Sequence, residues 1–131
     1  MKLQSIKLIP LHFLVAIFMT ITPMTLLAAG VLDGSTYSTM LDGENDVLTF
    51  NDGTFHSSSC DEWGFGKGEY TTEAKEDSIS FEATTTSEKD GTMVWTGTIQ
   101  GDTINGSYYW SKKGFFGTKN KTKTFEGSLN K

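Results

Sequence analysis

The sequence predicts an all-β protein, an eight-stranded antiparallel up-and-down barrel. After residue 29, apolar and polar residues alternate in short runs with a period of two, which is typical of half-buried strands. Gly, Asn and Asp separate these runs, and no helical period follows the first 29 residues. Eight such strands favour a barrel, because closure removes the exposed edge strands. A two-sheet β-sandwich is the alternative.

The first 29 residues predict a secretory signal peptide. Lys2 and Lys7 form a positive start, an uncharged apolar run follows, and small residues end at Ala29. We therefore expect cleavage near Ala29, a single β-barrel domain over residues 30–131, and a periplasmic or secreted protein. The alternative is an uncleaved membrane anchor, because the apolar run is just long enough to span a bilayer.

Composition restricts the partners of residues 30–131. This stretch carries nine Lys, 16 acidic residues and no Arg, so its formal charge is −7. The lack of Arg argues against nucleic-acid binding, since the Arg side chain is favoured for phosphate recognition. Cys60 is the only cysteine, which excludes an internal disulfide. We expect a domain that relies on its hydrophobic core, with no cofactor.

A β-hairpin over residues 91–110 is the strongest single element. Gly101-Asp102 suits a two-residue turn, and such a turn fixes the register of the two strands. The resulting cross-strand pairs all fall on the apolar face: Met93 with Trp110, Trp95 with Tyr108, Gly97 with Gly106, and Ile99 with Ile104. The facing glycines indicate a sharp bend or a close approach of strands. The other interpretation is space left open for a ligand.

The other strands follow from the same alternation. We predict them at residues 35–41, 46–50, 54–58, 68–73, 78–86 and 122–130, with Asp52-Gly53 as a second tight turn that pairs Phe50 with Phe55. The inward positions are mostly aromatic, and an eight-stranded barrel has a narrow interior. We therefore expect a small pocket or none, with these rings meeting edge to face: Tyr37, Phe50, Phe55, Tyr70, Phe81, Trp95, Tyr108, Trp110 and Phe125.

Every longer connection falls at one end of the predicted barrel. These connections are residues 42–45, 59–67, 87–91 and 113–121. Because loops on a rigid scaffold often carry function, we place the candidate site on this rim. Its residues are Cys60, Asp61, Glu62, Trp63, Phe65, Phe115, Phe116, Lys112 and Lys113, with Lys119 and Lys121 beside them.

Exposed aromatic residues beside lysines suit contact with a glycan, a small apolar ligand, an anionic lipid headgroup or a partner protein. Membrane contact is expected only through this rim or an uncleaved leader. In the alternative that we favour, Trp63, Phe65, Phe115 and Phe116 fold over the barrel mouth as a plug. The lysines then form a solvated face.

Cys60 has three interpretations. We favour a buried, structural thiol beneath the rim loop, as is usual for free cysteine. An unpaired Cys in an exported protein also suits a redox or intermolecular role. A catalytic or metal role would draw on His56 with Asp61 or Glu62, but His56 should point outward if Phe55 points inward. The spacing matches no zinc motif, and we expect no metal site.

A wider resemblance is carried by three segments, namely FNDGTFHSSSCDEWGFGKGEY, the run from ISFEATTTSEKDG through GTIQGDTINGSYYWSKKGFFG, and FEGSL. This pattern resembles an uncharacterised family of small exported bacterial β-barrel proteins, and implies no known activity. The strand count loosely resembles lipocalins and avidins, but Gly34-Ser35-Thr36-Tyr37 lacks the Trp of the lipocalin entry motif. We predict a non-enzymatic binding barrel that uses its rim. The alternatives are a lipocalin-like carrier of a small hydrophobic ligand and a thiol-dependent redox protein or enzyme.

Overall fold

A computed structural model describes residues 30–131, so the predicted signal peptide lies outside the described residues. The fold is a closed antiparallel barrel in which each strand pairs with its sequence neighbour and β8 pairs with β1. The barrel prediction is confirmed and the sandwich alternative is wrong. The strands are β1 Ser35–Leu41, β2 Glu44–Asn51, β3 Thr54–Ser57, β4 Gly68–Ala74, β5 Ile79–Ser87, β6 Gly91–Gln100, β7 Thr103–Gly114 and β8 Gly117–Leu129.

One 3₁₀ helix, Ser58–Trp63, follows β3, where the sequence predicted only a loop. Across residues 30–131, no helix has the length and apolar character needed to cross a membrane. The eight strands of the closed barrel and its core all lie within the described residues.

The register of the central hairpin is the predicted one. Trp95 pairs with Tyr108 and Gly97 with Gly106, and the other two predicted pairs are also formed. The second tight turn likewise pairs Phe50 with Phe55. Turn chemistry and apolar alternation therefore agree on one register. A shift of one residue would move the apolar side chains from the barrel interior to its outer face.

The facing glycines mark a close approach of strands. A Cβ on Gly106 would lie 2.1 Å from the carbonyl oxygen of Thr96, and one on Gly97 would lie 2.6 Å from the Phe81 ring. The space beside these glycines is therefore occupied by backbone and an aromatic ring. Such glycines let a small barrel bend at its corners.

Aromatic rings fill the barrel interior. Phe50 meets the rings of Tyr37, Phe55, Tyr70 and Phe81 edge-on, with centroid distances from 5.0 to 6.0 Å. Trp95 is fully buried and contacts Phe55 at 5.0 Å. The expected edge-to-face packing is confirmed around Phe50, whereas the rings of Phe55 and Phe81 stack. Aromatic side chains therefore occupy this part of the barrel interior.

The end of the barrel that carries the β2–β3, β4–β5 and β6–β7 turns is here called the base, and residues 30–34 close it. Leu32 is only 4% exposed, and its backbone N–H donates to the Tyr70 hydroxyl at 3.0 Å. The Tyr70 hydroxyl donates in turn to Asp33 at 2.8 Å, and Asp33 accepts from the Gly53 N–H. Burial, together with the hydrogen bond to Asp33, raises the pKa of Tyr70 to about 12. This segment thus joins β1 to two other strands.

The opposite end, here called the mouth, differs from prediction at residues 113–121. The sequence predicted a long loop there, which is wrong. β7 and β8 continue as a paired ribbon to Gly114 and Gly117, and only Phe115-Phe116 forms the turn. Pairing with β6 ends at Ser111 and pairing with β1 ends at Phe125, so residues 112–124 project beyond the barrel. We call this two-stranded projection the arm.

Candidate functional site

A pocket of about 320 Å³ opens at the barrel mouth. Ligand sites commonly begin at this size. The β1–β2 turn, the 3₁₀ helix, the β5–β6 turn and the part of the arm nearest the barrel all contribute to its walls. Its lining residues are Leu41, Asp42, Glu44, Ser59, Cys60, Glu62, Trp63, Phe65, Asp90, Met93, Tyr108, Trp110 and Lys121. The predicted rim therefore encloses a concave site.

The pocket floor contains Cys60, Met93 and Tyr108, which are all buried. The Cys60 sulfur lies 3.3 Å from the Ser57 hydroxyl oxygen and 3.8 Å from the Met93 sulfur. Burial raises the pKa of the Cys60 thiol and also that of the Tyr108 hydroxyl. The expected burial of Cys60 is confirmed, and at neutral pH the floor presents neutral groups.

The expected separation of His56 from Cys60 is also found. His56 is half-buried on the other face of β3, and its Nε2 pairs with Asp61 Oδ1 at 2.6 Å. A Cys–His nucleophile requires the imidazole within hydrogen-bond reach of sulfur. The imidazole here is engaged by Asp61, and the sulfur contacts Ser57 and Met93 instead.

Asp46 holds the 3₁₀ helix in place, and the sequence analysis missed this role. Its buried carboxylate accepts from the hydroxyls of Ser57 and Ser58 at 2.6 and 3.1 Å. It also accepts from the backbone N–H groups of Ser59 and Val47 at 2.9 and 2.8 Å. A charge buried with four donors is satisfied without a cationic partner. The Ser57-Ser58-Ser59 run was the available signal, since it supplies the donors.

Trp63 is exposed, although its backbone is braced. The Trp63 carbonyl accepts from the Ser87 hydroxyl at 2.8 Å, and the same hydroxyl oxygen accepts from the Asp90 N–H at 3.0 Å. Gly64 ends the 3₁₀ helix in the left-handed region, with its N–H donating to Asp61. The Trp63 side chain is nevertheless 56% exposed at the mouth. A large exposed apolar side chain on a fixed backbone is typical of a contact surface for another molecule.

The charges around the pocket are mixed. Asp42 pairs with Lys123 at 2.9 Å and Asp90 pairs with Lys112 at 3.1 Å, so both bridges tie the arm to neighbouring turns. The Trp110 indole N–H also donates to the Asp90 carbonyl at 2.6 Å. Glu44 and Glu62 make no ion pair among residues 30–131. These two carboxylates remain available at the pocket edge.

The predicted rim residues divide into two groups. The pocket brings together Cys60, Glu62, Trp63 and Phe65, while Asp61 pairs with His56 just outside it. Lys112 and Lys113 lie on the arm, and Phe115 and Phe116 form its tip. From the sequence, both groups were predicted to lie on one rim, because residues 113–121 were expected to form a loop at the mouth.

The plug interpretation is correct for one of the four aromatic residues. Phe65 is buried and packs in the core. Phe115 and Phe116 are 96% and 99% exposed, so neither covers the mouth. The rigid pairing of β7 with β8 carries them away from it.

No group of three His, Cys, Asp or Glu side chains is arranged to hold a metal ion within the described part of the chain. Searches of protein-family models, curated proteins and solved structures gave no match to this chain. The resemblance to small exported barrels therefore stays a prediction, and the geometry of the mouth is the only guide to function.

Proposed function

We propose that this protein is an exported, non-enzymatic binding barrel that holds a small ligand in the mouth pocket. The observation that carries the proposal is the exposed Trp63 indole on a braced backbone at the edge of a concave site. Export is proposed from the leader, and the buried core is consistent with a domain that needs no disulfide.

The lining indicates the chemistry of the ligand. Carboxylates accept hydrogen bonds and do not donate them at neutral pH. Glu44 and Glu62 therefore favour a ligand that supplies donors, such as hydroxyl groups. Trp63 and Trp110 offer apolar faces beside these carboxylates. A compact molecule with one apolar face and several hydroxyls, such as a short glycan, fits this combination.

The two alternatives have less support. A lipocalin-like carrier would have only the mouth pocket to use, because aromatic rings fill the interior. A thiol-dependent enzyme needs a reactive thiolate, but burial raises the pKa of Cys60, and within residues 30–131 no imidazole contacts its sulfur.

Binding to a glycan array, followed by native mass spectrometry of the bound pair, tests the proposal. Trp63→Ala should lower the affinity by about tenfold or more, as expected for loss of a central aromatic contact. Tyr109→Ala is the matched control, since Tyr109 is an exposed aromatic residue outside the pocket lining. Equal loss in both variants, or full binding by Trp63→Ala, would contradict the assignment of the pocket.

A further inference from the structure

The arm is opposite in charge to the rest of the barrel. Residues 103–125, which include the arm, contain five lysines and no acidic residue. The remainder of residues 30–131 contains four lysines and all 16 acidic residues. Positive charge is thus concentrated on one projecting ribbon of an acidic protein, which indicates attraction to an anionic surface.

The tip of the arm combines this charge with apolar side chains. Phe115 and Phe116 form the turn, with ring centroids 5.5 Å apart and almost complete exposure. Two-residue turns favour Gly, Asn and Asp, so phenylalanine is not there for turn geometry. Neither ring belongs to the core cluster. The fold gains no burial from these residues.

Three of the five lysines are also not placed for stability. Lys112 lies directly across the ladder from Lys119, and like charges in that position repel. Lys113, Lys119 and Lys121 make no ion pair within the described residues. Lysines can protect an exposed strand edge from aggregation. That role would not explain two phenylalanines at the tip, which favour aggregation.

We propose that the arm docks on a bilayer that contains anionic phospholipids. Phe115 and Phe116 insert at the boundary between headgroups and acyl chains, and the neighbouring lysines contact the headgroups. The shape favours a bilayer over a protein partner. A specific protein interface needs about 1,000 Å² of buried surface. The tip is narrow and convex, and a fluid bilayer closes around such a shape.

The acidic mouth does not oppose this docking. From the Trp110–Lys121 pair to the Gly114–Gly117 pair, the arm extends four residues, or about 13 Å along the strands. Charges are screened over about 8 Å at physiological ionic strength. Carboxylates at the far end of this span are therefore screened from headgroups at the tip, and the two rim carboxylates that contact the arm, Asp42 and Asp90, are paired with Lys123 and Lys112. The mouth pocket then faces the membrane.

Co-sedimentation with vesicles tests the proposal, using residues 30–131 so that the leader makes no contribution. Vesicles of phosphatidylcholine with about 30% phosphatidylglycerol should bind the protein, and pure phosphatidylcholine vesicles should bind it less. Phe115→Ser with Phe116→Ser should lower the partition coefficient at least about tenfold, since both rings lose their burial in lipid. The matched control is Met40→Ser with Val47→Ser, which removes two exposed apolar side chains from the barrel wall.

The electrostatic part is tested with Lys113→Gln and Lys119→Gln together. This pair should weaken binding to the anionic vesicles severalfold and reduce its sensitivity to salt. The control is Lys75→Gln with Lys131→Gln, because these lysines lie at the base. Unfolding of each variant in urea should match the parent, since none of the substituted side chains is buried.

Orientation is measured with a polarity-sensitive dye. Thr118→Cys places a thiol next to the tip, and Glu76→Cys places one at the base, while buried Cys60 stays unlabelled. Only the dye at position 118 should shift to the blue on anionic vesicles. The proposal is overturned if the phenylalanine variant binds as the parent does, or if both dyes shift equally. A lipid-free dimer that the same variant abolishes would also overturn it and identify a second copy as the partner.

This docking is independent of the proposed ligand pocket. Trp63→Ala should bind vesicles as the parent does, and the phenylalanine variant should bind glycans as the parent does. The two proposals therefore fail separately.

Discussion

The two ends of the barrel differ in what covers them. At the base, residues 30–34 fold back across the opening, and Leu32 is 4% exposed beneath the Tyr70 hydroxyl contact. At the mouth, a pocket stays open and Trp63 remains 56% exposed beside it. The barrel is thus closed at the base and open at the mouth.

This difference separates stability from binding. The base uses a buried Leu, a buried Tyr and a carboxylate to join distant strands, which stabilises the fold. The mouth leaves large apolar side chains in water, which does not. We therefore expect substitutions at the base to change the unfolding free energy, and substitutions of exposed mouth residues to change binding alone. Asp46 differs from these exposed residues because it lies at the mouth but is buried. We expect its substitution to change the unfolding free energy.

The largest expected effect is that of Asp46→Ala. This change removes the acceptor for the Ser59 N–H and for two serine hydroxyls, and of these three donors the Ser57 hydroxyl is buried. The unfolding free energy should fall by about 3 kcal/mol. Glu44→Ala, which removes an exposed carboxylate from the same strand, should change it by less than about 0.5 kcal/mol. Urea denaturation followed by tryptophan fluorescence measures both, and equal effects would show that Asp46 does not anchor the helix.

The next effect is that of Leu32→Ala at the base. Truncating this buried side chain should lower the unfolding free energy by about 2 kcal/mol, the lower end for leucine because a terminal segment can collapse into the space. Val31→Ala is the matched control, since Val31 is 54% exposed. If both variants unfold at the parent's urea midpoint, residues 30–34 do not seal the base.

The last effect concerns pH and Tyr70. A tyrosine in an unfolded chain releases its proton near pH 10, whereas the pKa of Tyr70 in the fold is about 12. Below pH 10 both states hold the proton and the full stabilisation is present. Between pH 10 and 12 only the unfolded state releases it, so the unfolding free energy falls as pH rises. The fall should be shallower in Tyr70→Phe, and identical slopes in denaturation from pH 9 to 12 would contradict this assignment.

Most of the fold was predictable because its strands bury one face, and this burial gives the sequence a regular alternation of apolar and polar residues. Trp95 and Tyr108 share a face by alternation, and Gly101-Asp102 fixes the turn between them, so two independent signals gave one register. The reason for the facing glycines could not be predicted from the sequence. Only the positions of Phe81 and the Thr96 carbonyl distinguish a close approach of strands from an open space.

The arm was not predictable in the same way. Both of its faces lie in water, so residues 117–124 contain no apolar alternation and look like a loop. The pairing of β7 with β8 as far as Gly114 and Gly117 shows that the strands continue.

The lining of the mouth pocket was predictable in part. The sequence placed Cys60, Glu62, Trp63 and Phe65 on the rim, and all four line the pocket. Tyr108 and Trp110 were expected in the interior and reach the pocket wall from there.

Closure of the barrel joins the first strand to the last. Ser38 of β1 contacts Asn130, 92 positions later in the chain, and Asn130 also donates its N–H to Thr36. In a growing polypeptide, one edge of β1 therefore has no partner until β8 has been made. Chaperone protection during that interval would matter more for this chain than for a helical bundle of equal length, whose contacts form locally.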